Sequence, residues 1–293
     1  MDTDAPQTLP LDDGRRLAWR EYGRPDGVPC VYTTGTPASG LAGALYDDAA
    51  RRAGVRWISV DKPGYGWSDY QRGRTLLHWP EDVAALADHL GLTRFAVVGE
   101  SGGGPHALAL GYGLAARVTT VVVLAGLGPA DQPSVRQGMR RQNRVLLGIA
   151  QRAPWALRAP TAMMGWALSN PRRAERYARK QAEGSPPADR ELFTDPAVAP
   201  LYLAATVDAF RAGSRGAAQE LSILARPWGF DLADVKVHVD LWHGTEDINV
   251  PVAVARAVVA GLPDCNARIV EGAGHAVART NLEEIMNTIV AAA

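Results

Sequence analysis

The chain is poor in the residues that build covalent or metal frameworks. Cys30 and Cys265 are its two cysteines in 293 residues, and their separation matches no disulfide scaffold, redox pair or metal-ligand spacing. Both fall in or beside runs that read as strands, where a free thiol packs as a small apolar residue. An excess of one charge is also missing. Lysine plus arginine number 31 and aspartate plus glutamate 31, so no net field favours nucleic acid or a charged surface. Lysine itself is scarce, and Lys62, Lys180 and Lys236 are the three in the chain. The longest apolar run, from residue 118 to 130, is broken by glycines and too short to cross a bilayer. The first residues, Met1-Asp2-Thr3-Asp4-Ala5-Pro6, carry no basic or apolar segment, so no secretory signal and a cytoplasmic location are expected.

What remains is the composition of an ordinary globular protein, 47% hydrophobic and 21% charged. The length suits one large α/β domain, or a core with an insertion. Residues 15–22 and 28–34 read as strands joined by the turn Gly23-Arg24-Pro25-Asp26-Gly27. Further strands are expected at 55–60, 95–100 and 118–124, with helices at 39–53, 78–90 and from the glycines after Ser101 to about 116. The rhythm stops near Gly126-Leu127-Gly128-Pro129. It resumes with a strand at 235–242, a helix at 252–260, a strand at 266–270 and a helix at 281–292. Alternation of this kind predicts a mostly parallel, twisted sheet with helices on both faces. Residues 1–128 and 229–293 would form that core, and 129–228 a helical cap inserted into it.

The stretch 95–106, Phe-Ala-Val-Val-Gly-Glu-Ser-Gly-Gly-Gly-Pro-His, carries the chemistry. Gly99, Ser101 and Gly103 form a G-x-S-x-G pattern between a strand and a helix, the setting that lifts a serine hydroxyl onto an exposed elbow. A serine hydroxyl is a poor nucleophile until a base takes its proton, and the base needs an orienting acid. Asp247 follows one strand in the loop His243-Gly244-Thr245-Glu246-Asp247, and His275 follows another in Glu271-Gly272-Ala273-Gly274-His275. Ends of parallel strands converge on one rim, where such sheets place ligands. Other polar residues read as structural: Glu100 facing sideways from the elbow, His106 packed in the elbow helix, His238 and His243 on opposite faces of a strand. Asp131, just past a strand end, is an alternative acid.

Four motifs together resemble the α/β-hydrolase family, close to its esterase, lactonase and C–C hydrolase branch. They are Gly35-Thr36-Pro37, the loop Asp61-Lys62-Pro63-Gly64-Tyr65-Gly66-Trp67-Ser68, the elbow, and the Asp247 and His275 loops. The resemblance implies Ser101 as nucleophile, His275 as general base and then acid, and Asp247 as its orienter. It also implies an oxyanion hole from the backbone N–H groups of Thr36 and Gly102, and no metal or organic cofactor. The family has a histidine before Gly35 where this chain has Thr34, which bears on the geometry of that loop. The implied activity is hydrolysis of an ester or lactone, with C–C cleavage, a lyase-like reaction or a non-catalytic binding role on the same fold as alternatives. Trp155, Met163, Met164 and Trp166, with Phe193 and Tyr202, are candidates for an apolar pocket. The expected partner is a largely apolar small molecule, without nucleic acid or membrane insertion, and self-association is left open. Residues 131–190 hold twelve basic and four acidic residues, 12 − 4 = +8, read as a solvated face.

Overall fold

The computed structural model describes residues 6–129 and 138–293. Eight strands form one sheet: β1 Gln7–Pro10, β2 Arg16–Gly23, β3 Val28–Thr33, β4 Val55–Val60, β5 Phe95–Glu100, β6 Val118–Leu124, β7 Val239–Gly244 and β8 Cys265–Val270. Their spatial order is β1-β2-β4-β3-β5-β6-β7-β8. Strands β3 to β8 run parallel, while β2 lies antiparallel to both β1 and β4. The chain runs from β3 to β4 on one side and then crosses from β4 to β5 on the other, so the strand order reverses at β3. That is where a doubly wound sheet opens a crevice.

The helices are α1 Asp47–Ala53, α2 Trp79–His89, α3 Gly104–Gly113, α4 Arg141–Arg152, α5 Arg158–Leu168, α6 Pro171–Glu183, α7 Glu191–Thr194, α8 Ala199–Asp208, α9 Arg215–Leu224, α10 Val252–Gly261 and α11 Leu282–Ala291. Successive residues of the central strands point to opposite faces, which is why these strands read as continuous apolar runs. Val31, Ile58, Val97, Val121 and Leu241 pack with Trp79, Val83, Leu86, Leu108 and Val258 on one face. Cys30, Trp57, Ala96, Val98 and Trp242 pack with Ala49, Ile285, Met286 and Ile289 on the other. Helices α4 to α9 lie between β6 and β7, and among the described residues no strand interrupts them. No helix among the described residues is long and apolar enough to cross a membrane.

Three elements differ from the expectation. Strand β1 is short, mostly exposed and ends in Pro10, so it leaves no apolar signal; it forms by pairing Gln7 to Pro10 with Trp19 to Arg16. The segment read as a helix over 39–53 begins as a 3-10 helix, Gly40–Tyr46, capped by the Ser39 hydroxyl, before α1 takes over. The strand expected from 235 starts at Val239; Val235 and Val237 are buried in the core but precede the pairing with β6.

Candidate active site

The elbow shows why its glycines are needed. Chain leaves β5, turns through a 3-10 helix at Ser101–Gly103, and enters α3 with Pro105 in its first turn. Ser101 sits at φ 52°, a left-handed conformation that a non-glycine residue adopts only when its surroundings hold it there. A β-carbon at Gly99 would overlap the Gly103 carbonyl and the Ala107 methyl, and one at Gly103 would overlap the Thr33 carbonyl. Both glycines therefore let the turn press against its own strand and against the end of β3.

The structure brings Ser101, His275 and Asp247 together from three separate loops. His275 Nε2 lies 3.0 Å from Ser101 Oγ, and His275 Nδ1 lies 2.7 Å from Asp247 Oδ2. The other carboxylate oxygen, Oδ1, accepts the backbone N–H groups of Asn249 and Val250 at 2.8 and 2.9 Å, which fixes the plane of the Asp247 side chain. Burial alone would lower the pKa of His275, but the Asp247 charge outweighs it, with Asp189 and Glu100 adding to the effect, and pushes it up to about 9.

The loop after β3 closes the other side. A β-carbon on Gly35 would lie 3.4 Å from Ser101 Cβ, and the Thr36 side chain fills the space where Gly102 lacks one. The two residues with candidate oxyanion N–H groups, Thr36 and Gly102, are thus packed against each other beside Ser101. Thr34 turns its hydroxyl back to the Ala38 carbonyl at 2.9 Å, holding the loop locally.

Beneath this loop lies a group of charges that the sequence did not reveal as part of the site. Lys62 Nζ donates to the carbonyls of Thr34 (3.0 Å) and Gly35 (3.2 Å) and to Thr36 Oγ1 (3.0 Å). It also pairs with Glu220 Oε1 at 2.8 Å, while Arg74 bonds the second oxygen of Glu220. The Thr36 hydroxyl donates to Glu220 Oε1 at 3.2 Å. Lys62, Arg74, His106 and Glu220 are all buried. Burial alone would raise the Glu220 carboxyl, yet the Lys62 and Arg74 cations hold it well below the usual carboxylate range. Burial lowers His106 to about 3, so it is a neutral ring bonded to the Gly102 carbonyl at 3.1 Å.

Asp189 was not singled out from sequence, while Glu100 and His243 were read there as structural. Asp189, in a 3-10 helix between α6 and α7, is buried and accepts the Ala276 N–H at 2.8 Å beside Gly274. Glu100 accepts from the Tyr32 and Tyr46 hydroxyls, so it points into the core side of the elbow. His243 is buried, bonds the Val250 carbonyl at 2.7 Å and stands 3.4 Å from Asp247 Oδ2, backing the acid, whereas His238 is on the surface beside Asp240 and Asp264. A lysine directly after Asp61 in a chain with three lysines was the one available signal for Lys62; nothing in the insertion distinguished Asp189 or Glu220.

The pocket candidates part company. Trp155, Met163 and Trp166 are 75%, 67% and 62% exposed, and Trp166 stacks under the Arg173 guanidinium at 4.1 Å. They lie on an outer face: α5 turns Thr161 and Leu168 inward and leaves Met163 and Trp166 outside, and Trp155 is exposed on the 3-10 helix that precedes it. Met164 is half-buried. Phe193 and Tyr202 meet edge to face at 5.4 Å. Burial raises the Tyr202 hydroxyl, and Tyr177, Glu100 and Asp189 add to this. Asp131 lies outside the described residues. Among the described residues no group of three or more histidines, cysteines or carboxylates could hold a metal ion.

Residues 30–287 match the sequence profile of the Alpha/beta hydrolase family. The chain belongs to the alpha/beta hydrolase family. It has a fold of mostly parallel strands and flanking helices. A dihydrolipoyllysine-residue acetyltransferase component of the acetoin cleaving system from Pseudomonas putida is 36% identical over 138 residues, 46% of this chain and 36% of that protein. The chain spans less than half the length of the curated relatives it matches. Among solved structures, an esterase from Exiguobacterium antarcticum aligns with a TM-score of 0.71 at 20% identity, covering 98% of both chains. An enol-lactonase from Burkholderia xenovorans LB400 aligns with a TM-score of 0.69 at 20% identity, covering 98% of this chain and 99% of that one. At such identities these two establish the fold.

Proposed function

We propose that this alpha/beta hydrolase is a cofactor-independent serine hydrolase that cleaves a carboxylic ester or lactone of a small molecule through an acyl-enzyme. The observation that carries the reading is the relay from Ser101 Oγ through the His275 ring to Asp247, 3.0 and 2.7 Å long, with the serine raised on a left-handed turn. The esterase and lactonase among the similar structures fit the same chemistry.

In this mechanism neutral His275 takes the Ser101 proton as Oγ bonds to the substrate carbonyl carbon. The carbonyl oxygen becomes an oxyanion between the N–H groups of Thr36 and Gly102. His275, now protonated and stabilised by Asp247, gives its proton to the leaving alkoxide, and the C–O bond breaks. Water then repeats the sequence on the ester of Ser101, releasing the acid. Helices α4 to α9 serve as a cap over this rim.

The test compares the native chain with Ser101→Ala on p-nitrophenyl acetate and with a fluorophosphonate label. The native protein is expected to be labelled and to hydrolyse the ester, and Ser101→Ala to lose both, with kcat down by about 10³-fold or more. Equal turnover by the two proteins, with no labelling of either, overturns the reading.

A further inference from the structure

We propose that Lys62 is a positioning residue that strengthens the Thr36 oxyanion donor by polarising the peptide unit to which that N–H belongs. The inference rests on the serine-hydrolase reading above and extends it to a residue that touches no substrate atom.

The Gly35 carbonyl and the Thr36 N–H are two ends of one peptide group. Lys62 Nζ donates to that carbonyl at 3.2 Å, to the preceding carbonyl of Thr34 at 3.0 Å and to the Thr36 hydroxyl at 3.0 Å. A cation at the oxygen end of an amide draws electron density from the nitrogen end, so the N–H carries more positive charge. Hydrogen bonds in series reinforce one another in this way, most of all away from water. The ammonium here is completely buried, so its field is not screened by solvent.

Stability alone is a poor account of this arrangement. A buried ion pair loses much of its attraction to desolvation and is often replaceable by apolar residues without loss. Here Lys62, Arg74 and Glu220 are buried together under one loop, and three of the four Lys62 contacts are to residues 34–36. Glu220 comes from α9, so the inserted helices supply the anion that holds the cation in place. A β-carbon at Gly216 would overlap the Gly64 carbonyl, so α9 is seated directly on the loop that carries Lys62. The same polarisation would not arise from a neutral side chain of equal shape.

The experiment removes the Lys62 charge alone, as Lys62→Met, so that Glu220 stays paired with Arg74 and no lone charge is left buried. Two readouts separate positioning from simple structural support. The first is kcat against KM on p-nitrophenyl acetate. The second is inhibition by an alkyl trifluoromethyl ketone, whose adduct with Ser101 carries an oxyanion, against the matching methyl ketone, which binds without one. We expect kcat to fall about 10- to 100-fold, less than the loss of a whole donor. KM should stay within about threefold, and trifluoromethyl-ketone affinity should fall with kcat while methyl-ketone affinity does not. A folded variant whose kcat and trifluoromethyl-ketone affinity stay within about threefold of native overturns the inference, as does an equal loss for both ketones. If the variant does not fold, the native protein answers. Gly35–Thr36 and Gly244–Thr245 are the two Gly-Thr pairs in the chain. With ¹³C at glycine carbonyls and ¹⁵N at threonine amides to select these two pairs, the Gly35 carbonyl resonance should lie downfield of that of Gly244, which accepts the Asp247 N–H at 3.4 Å, and the opposite order overturns the proposal. A native protein that shows no Ser101-dependent turnover instead fails the serine-hydrolase reading itself, and the inference falls with it.

Discussion

At the scale of single residues, His275 decides the pH behaviour. Its neutral ring is the form that can accept a proton from Ser101, and the neighbouring Asp247 carboxylate pushes the ring's pKa up to about 9. At pH 6 the ring is therefore mostly protonated and inactive as a base. The sign follows: kcat/KM rises as pH rises from 6 toward 9, by about tenfold per pH unit on the steep limb, and levels off above it. Asp247→Asn removes the main cause of the raised value. The limb then moves to lower pH while the plateau falls by about 10⁴-fold, as the ring loses both orientation and charge support. A pH–rate profile on a p-nitrophenyl ester for both proteins checks this. A native limb centred below 6, or an unchanged limb in Asp247→Asn, contradicts it.

At the scale of elements, the elbow is the part most tightly specified. Gly103 abuts the last carbonyls of β3, so Gly103→Ala must separate β3 from the turn that presents Ser101. We expect a loss of about 1–3 kcal/mol in stability from that overpacking, seen as a lower denaturation midpoint, together with reduced ester turnover. A native-like midpoint would show that the turn relaxes freely. The same packing explains what could be read from the chain alone. The central strands β3 to β6 and their helices were legible because burial on both faces leaves uninterrupted apolar runs, and the elbow because its glycines have a steric cause. Strand β1 was not legible: its four residues are mostly exposed and its existence depends on pairing with β2. The start of β7 was misread for the opposite reason, since Val235 and Val237 are apolar for packing and not for pairing. In the insertion the helices were legible but not their facing. Trp155 and Trp166 look like pocket residues in a string of letters, but Trp155 stands exposed on the 3-10 helix before α5 and Trp166 on the outer side of α5.

At the scale of the molecule, the sheet and the inserted helices complete the site between them. The core carries Ser101, Asp247 and His275 on three strand-end loops, and the loop after β3 carries Thr36. The insertion returns two buried carboxylates to that rim. Asp189 holds the backbone beside His275, and Glu220 holds Lys62 under residues 34–36. Neither contact involves neighbours in sequence: Asp189 lies 87 residues from Ala276, and Glu220 lies 184 from Thr36. Long-range pairings of this kind have no local signature, which is why Ser101, Asp247 and His275 could be singled out from their motifs while the Asp189 and Glu220 contacts could not. On the reading proposed above, the chemistry depends on helices far from it in sequence, and that dependence is what the Lys62 variant probes.

The central claim is that Ser101 becomes transiently acylated. The most direct measurement mixes the protein with excess p-nitrophenyl acetate, follows the first turnover, and quenches in acid for mass spectrometry of the peptide that contains residue 101. The account predicts a p-nitrophenol burst approaching one equivalent per chain, an acetyl group on Ser101, and neither in Ser101→Ala. A steady release with no burst and no acetylated peptide, unchanged in Ser101→Ala, would contradict it.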